Sequence, residues 1–212
     1  MRMNKVKIID INGYKIKFCD FVYAPELDTY LFIDKIIFTQ KRERLLDMGT
    51  GTGILAIYFS KFFESIYAVD INPYAIHCAM QNASLNRIRN IHFVLGNLFD
   101  SFSTSFTFDI ILFNPPYLPE DTSYSDEAKL TIRANRHLNS SWFGGQTGAE
   151  VILAFLKQAR YYLRTYGCIF FLISSLTNPS QIFKTLKEEG YQYSIIHREK
   201  LFFEELFLIK AW

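Results

Sequence analysis

The chain has 212 residues, a length that suits one large domain, and half of them are apolar, enough to bury a sizeable core. Charged residues make up 21% and the net charge is +2, which does not provide the basic field of a dedicated nucleic-acid binder. No segment has the apolar run of roughly 20 residues that a membrane span needs, and Met1 to Asp10 lack the apolar core of a signal peptide, so a soluble, cytoplasmic protein is expected.

Cys19, Cys78 and Cys168 are far apart and form no Cys-x-x-Cys pair. Neither a metal site nor a disulfide framework is expected from them, and Cys78 and Cys168 read as small buried residues in apolar segments. The histidines at 77, 92, 137 and 197 carry no ligand spacing. The 21 phenylalanines point to a Phe-rich core, with any surplus free to form an apolar partner surface.

In chain order, Val6 to Phe18 alternates as a strand and is broken by the hairpin signal Asn12-Gly13. The spacing predicts a helix over Thr29–Phe38, a strand over Arg44–Asp47, a helix over Gly53–Phe63 and a strand over Ser65–Asp70. Pro73–Asn86 is predicted helical, with Asn72 as its N-cap. Strands follow at Ile91–Leu95 and Phe108–Phe113, then a polar stretch, Leu118–Ser141, without clear periodicity. Gly148–Arg164 reads as a helix, Cys168–Ile173 as a strand, and Pro179–Glu189 as a helix ended by Gly190. Tyr191–Ile196 and Leu206–Ile209 are strands too close for a helical crossover, so they should pair antiparallel. The alternation implies an open α/β fold, a mostly parallel sheet with helices on both faces and an antiparallel C-terminal hairpin. Residues 1–43 are expected to form a hairpin-and-helix lead-in, and 44–212 the core, of a single domain.

Asp47-Met-Gly49-Thr-Gly51-Thr-Gly53 joins a predicted strand to a predicted helix. Glycines there allow a tight turn and close approach of a ligand to backbone N–H groups at a helix start. Asp70 closes the next strand, where a carboxylate can accept from both ribose hydroxyls. Gly51, Gly53 and Ala56 also fit the dinucleotide pattern G-x-G-x-x-A, which Asp70 would serve equally well. Asp47 favours the other reading. A carboxylate at this strand end repels a diphosphate and suits the positively charged methionine part of S-adenosylmethionine. Asn97 and Leu98 follow the strand Ile91–Leu95 at its carboxyl end, and the Asn97 amide could bond an adenine amino group.

Phe108 to Phe113 runs straight into Asn114-Pro115-Pro116-Tyr117. The prolines stiffen the loop and hold Asn114 extended. The loop then presents two acceptors, the Asn114 side-chain oxygen and the Pro115 carbonyl, to a nitrogen with two N–H bonds. An amide or aryl-amine nitrogen is a poor nucleophile because its lone pair is delocalised. Acceptors that grip its N–H bonds disperse the charge that develops on methylation, and Tyr117 can stack on the planar group.

At these residues the chain resembles the HemK-type glutamine N5-methyltransferases, and most of all their eukaryotic and archaeal branch that acts on class I release factors. Val22-Tyr23-Ala-Pro25-Glu26-Leu-Asp28-Thr29 resembles the branch's V-Y-x-P-x-x-D-T lead-in, which places the threonine on the cofactor, so Thr29 is carried over. Trp142-Phe-Gly144-Gly145-Gln146-Thr-Gly148 resembles its W-x-G-G-x-x-G segment. The resemblance implies a class I, Rossmann-like methyltransferase fold with a seven-stranded sheet, S-adenosylmethionine as cofactor, and the glutamine of a release-factor Gly-Gly-Gln motif as substrate. It also implies a small zinc-binding activator protein that adds a strand beside the sheet, at an exposed edge strand Ile91–Leu95. Asn97 departs from the aspartate common in the family, and residues 118–141 match none of its patterns. The rival expectation is an RNA or DNA amino-methyltransferase with the same loop, with Lys41-Arg42-Glu43-Arg44 as its basic patch. A cofactor-binding scaffold without chemistry is a third reading, opposed by the intact Asn114–Tyr117 loop.

Overall fold

The computed structural model of the chain describes residues 7–120 and 142–212. β1 (Ile8–Ile11) and β2 (Tyr14–Lys17) form a hairpin around Asn12-Gly13, both at positive φ as the two-residue turn requires. Then follow α1 (Leu27–Lys35), β3 (Arg42–Met48), α2 (Ile54–Phe59), β4 (Phe63–Asp70), α3 (Pro73–Leu85), β5 (Ile91–Leu95) and β6 (Phe108–Phe113). Beyond the undescribed stretch come α4 (Glu150–Ala159), β7 (Leu163–Ser174), α5 (Pro179–Glu188), β8 (Tyr193–Lys200) and β9 (Glu205–Ala211).

The seven-stranded sheet has the order β5-β4-β3-β6-β7-β9-β8. β3 to β7 pair parallel, while β9 runs antiparallel to both β7 and β8. The chain leaves β3 toward β4 on one side and returns to β6 on the other. That reversal opens a crevice at the carboxyl ends of β3 and β6, where open α/β sheets bind ligands. β5 is an edge strand, as expected.

Alternate residues of each strand enter opposite cores. Leu45, Ile66, Ile110 and Leu172 pack under α1 and α2. Leu46, Val69, Ile111 and Phe171 pack under α4 and α5. The phenylalanines fill both. Phe38 meets Phe59 and Phe63 edge-on at 5.2 Å on the first face. On the second, Phe99 stacks on Tyr162 at 4.4 Å and Phe113 leans on Phe155 at 4.5 Å. This second stack sits beneath the loops that follow β5 and β6. Truncating one such ring would cost about 3–5 kcal/mol. Among the described residues no helix is long and apolar enough to cross a membrane.

Several elements end earlier than the spacing predicts. α1 stops at Lys35, and Ile36 is already extended. Ile36 and Phe38 point inward while Ile37 is exposed, a period of two that a helix cannot produce. The predicted helix from Gly53 and the predicted helix to Arg164 both tighten into a single 3-10 turn, and the next strand starts at once. β8 and β9 are longer than predicted, with a register shift between Ile195 and His197. The expectation for Cys78 is corrected. Cys19 and Cys78 form a disulfide, and only Cys168 is a buried free thiol. The two residues lie 59 apart in sequence, and nothing local marks the pair. They meet because β2 lies along α3: Lys15 exchanges two backbone hydrogen bonds with the Asn86 amide, both at 2.8 Å, and Lys17 N–H donates to Asn82 at 2.9 Å.

The bond closes a long loop in the unfolded chain, which loop-closure entropy values at about 4 kcal/mol. Reduction, or Cys78→Ser, should therefore lower the urea midpoint clearly. Equal midpoints with and without a thiol reductant would show that the crosslink adds no stability.

Candidate active site

A cavity of about 220 Å³ opens at the switch point of the sheet. Thr29, Gly49, Gly51, Asp70, Asn97, Leu98 and Asn114 all line it, together with Pro116. The turn between β3 and α2 carries Gly49, Gly51 and Gly53 at φ of +66°, +55° and +80°, which folds it back on the strand end. Asp70 clasps this turn. Its Oδ2 accepts from Gly51 N–H and its Oδ1 from Asn72 N–H, both at 2.9 Å. Burial raises its pKa, against the pull of those backbone donors.

Asp47 and Gly53 lie behind the wall. Gly53 packs against Ala79 of α3. Asp47 is only 1% exposed, and its Oδ2 accepts from the Thr50 hydroxyl at 2.7 Å and from Ala56 N–H at 3.2 Å. It fastens the turn to β3 from beneath, a placement that the strand-end position alone does not reveal. Burial pushes its carboxyl up to about 7, with Asp70 adding to the rise and its two donors opposing it.

A second cavity of about 150 Å³ adjoins the first and shares Tyr23, Asn114 and Pro116 with it. Pro115, Tyr117 and Trp142 line it, with the carboxylates of Glu26, Asp28 and Glu204. Asn114 stands between the two cavities. Its Nδ2 donates to Asp28 Oδ2 at 3.1 Å and to Thr29 Oγ1 at 3.3 Å, which fixes the amide's orientation. Its Oδ1 is shielded from solvent and has no partner among the described residues. Leaving an acceptor buried and unmet costs about 1–3 kcal/mol. Such an atom fits a ligand that brings an N–H.

Asp28 was not singled out from the sequence, yet it organises this wall. It is 4% exposed and accepts from Thr29 N–H at 2.6 Å, Thr29 Oγ1 at 3.2 Å and the Tyr23 hydroxyl at 3.1 Å, besides Asn114. The Tyr117 hydroxyl also bonds it. Burial first, then the charge of Asp28, raises the pKa of both tyrosines, so both remain proton donors. The signal available was the aspartate that precedes Thr29 in the lead-in motif.

The Trp142–Gly148 segment clamps the loop. Leu118 N–H donates to Trp142 O and Gly144 N–H to Leu118 O, both at 3.0 Å. A Cβ at Gly144 would collide with the Pro116 carbonyl, and one at Gly148 with that of Tyr117. Trp142 meets Tyr23 edge-on at 5.7 Å.

A carboxylate at the end of β4, beside a glycine turn and a loop of acceptors, can receive a nucleoside and a nitrogen that brings N–H bonds. Comparisons with known proteins identify the family. The model of the methyltransferase small domain matches residues 26–142. A Methanocaldococcus jannaschii chain named as a protein N5-glutamine methyltransferase is 37% identical, over 97% of this chain and 98% of its own length. Methyltransferase HEMK2 of Mus musculus is 28% identical, over 81% and 80%. The E. cuniculi Mtq2–Trm112 complex, responsible for methylation of the termination factor eRF1, superposes with a TM-score of 0.67 at 25% identity, over 90% of this chain and 98% of that one.

The fold is that of a class I methyltransferase, an enzyme class that uses S-adenosylmethionine. The chain belongs to the methyltransferase small domain family, alongside the protein N5-glutamine methyltransferases.

The raised carboxyl of Asp47 has a stability consequence. Its folded value near 7 lies above the ordinary 3.8, so its contribution is whole below about pH 4 and is lost as pH rises through 7. In urea unfolding, wild type should lose stability relative to Asp47→Asn between pH 4 and 8. Parallel pH curves for the two proteins would show that the Asp47 carboxyl is not raised.

Proposed function

We propose that the chain methylates the side-chain amide nitrogen, N5, of the glutamine in a release factor's Gly-Gly-Gln motif. The observation that carries this is the Asn114 amide, pinned by Asp28 and Thr29 so that its Oδ1 is a buried acceptor without a partner among the described residues. In this reading Asn114 Oδ1 and the Pro115 carbonyl grip the two N–H bonds of the target amide. Pro116 keeps the loop rigid, and Tyr117 stacks on the amide plane. As positive charge develops on nitrogen, these acceptors stabilise it without moving. Holding the nitrogen in line for transfer carries much of the rate.

S-adenosylmethionine, when bound, supplies an electrophilic methyl group on a sulfonium. Asp70 would receive the ribose hydroxyls, Asn97 and Leu98 the adenine, and Thr29, Gly49 and Gly51 the methionine end. Asp47 and Gly53 would act from behind the wall, by shaping the turn.

The charge of the second cavity favours a protein substrate over a nucleic acid. Among the described residues, three acidic side chains and no basic one line it, a charge that disfavours a phosphate backbone. The basic segment Lys41–Arg44 does not offset this. Arg42 starts β3 and Met48 ends it, so Arg42 lies about 20 Å along the strand from the cavity. Arg44 is occupied, lying over the Phe106 ring at 4.5 Å.

A partner at β5 is part of the same proposal. The neighbour Mtq2 was solved with the small protein Trm112. Here β5 ends one side of the sheet, with Leu95 57% exposed on it. A small zinc-binding protein adding a strand to Ile91–Leu95 would cover this edge. Light scattering of the purified chain, alongside its turnover, tests this. A monodisperse monomer as active alone as with the partner would remove the need for one.

Labelled S-adenosylmethionine should deliver label to the Gly-Gly-Gln glutamine of purified release factor and not to total RNA. Asn114→Ala should cut turnover about 10²–10³-fold, as loss of one transition-state hydrogen-bonding group does, with cofactor affinity close to wild type. Label on RNA alone would overturn the substrate. Unchanged turnover in Asn114→Ala would overturn the role of the loop.

A further inference from the structure

We propose that Phe202 and Phe203, at the tip of the β8–β9 hairpin, form a docking prong that engages an apolar patch on the protein substrate outside the methylated tripeptide. This rests on the release-factor reading above. The two rings are 92% and 84% exposed, while most phenylalanines of the chain are buried. They sit in a four-residue turn closed by Leu201 N–H to Glu204 O at 2.8 Å, where small polar residues are the usual occupants. The rings brace each other edge-on, with centroids 4.6 Å apart, so little freedom remains to be lost on binding.

The tip is tied to the reaction site. Glu204, next in sequence to Phe203, lines the second cavity with Asn114 and Tyr117. Successive Cα atoms are about 3.8 Å apart, so both phenylalanines start within two such steps of the cavity wall. The position is held firmly. The Ser174 hydroxyl bonds the Glu204 carboxylate, Ser175 N–H donates to Glu205 O at 2.8 Å, and Glu205 N–H donates to Ser175 Oγ at 2.9 Å. Because Ser174 pairs with Leu206, this tip shares the carboxyl edge of the sheet with both cavities. Tyr166, equally exposed at 96%, lies near the start of β7, toward the opposite edge, and belongs to no such surface.

The occupant is the substrate protein itself. The prong is continuous with the cavity that receives the target loop. That cavity's carboxylates, Glu26 and Glu204 among them, complement a basic loop flanked by an apolar surface. Aromatic side chains, phenylalanine among them, are enriched at protein interfaces relative to the rest of the surface.

The test is Phe202→Ser with Phe203→Ser in the full chain, with any activating partner present. kcat and KM are measured on intact release factor and on a short peptide spanning Gly-Gly-Gln. KM for the intact factor should rise about 10-fold or more, with kcat, peptide KM and melting midpoint unchanged. Phe202→Leu with Phe203→Leu should restore most of the loss. Unchanged KM for both substrates, or an equal rise for both, overturns the prong. Wild-type enzyme that fails to methylate the factor overturns the substrate reading, and the prong with it. An active wild type with an unaffected variant overturns the prong alone.

Discussion

The wall between the two cavities depends on the Asp28 carboxylate. It stands at the start of α1, almost wholly buried, where a charge survives only if donors surround it. Those donors come from Tyr23, Thr29, Asn114 and Tyr117, so the cost of burying this carboxylate is offset by drawing two segments together, the lead-in and the loop after β6. Two consequences follow. The lead-in before β3 becomes part of the site rather than an appendage. The Asn114 amide cannot flip, because a flipped carbonyl would face a carboxylate oxygen. Its Oδ1 is thereby left as a buried acceptor without a partner among the described residues, which is the acceptor role proposed for it.

The sheet provides the frame in which that interaction can form. β3 and β6 are neighbours, so the turn after one and the loop after the other open on the same edge. Beneath them, the stack of Phe99, Phe113, Phe155 and Tyr162 leaves no room for these loops to sink. Above, the Trp142 segment approaches so closely that only glycine is tolerated at 144 and 148. Core and clamp together hold Pro115 and Pro116 in one conformation.

Much of this was legible because it is local. The strand–turn–helix around Gly49 to Gly53, the acid at Asp70 and the Asn-Pro-Pro-Tyr loop each declare themselves within a few residues. The element order follows from periodicity, and the antiparallel C-terminal pair from the shortness of its connection. What stayed hidden depends on contacts between distant segments. Asn114 and Asp28 are 86 positions apart, Cys19 and Cys78 are 59 apart, and Glu204 reaches the site only because β9 folds back beside β7. Asp47 shows a different limit. Its charge suggested a ligand, but the Thr50 hydroxyl and the Ala56 N–H three and nine residues on had already claimed it. The W-x-G-G-x-x-G segment was recognisable by resemblance, yet its glycines acquire a reason only when the carbonyls of Pro116 and Tyr117 lie against them.

The chemistry selects its substrate through what the site does not offer. Among the described residues no cation lines the second cavity, so a phosphate meets carboxylates there. The hydrogen-bonding atom of Asn114 without a partner among the described residues is an acceptor, which an entering group with a donor would satisfy. Tyr117 lines the same cavity, and burial, then the charge of Asp28, keeps its hydroxyl protonated. A neutral primary amide brings a donor and no negative charge, in keeping with the substrate proposed. A lysine ammonium could donate to Asn114, but the carboxylates would hold its charge and keep its lone pair protonated, so it could not act as the nucleophile.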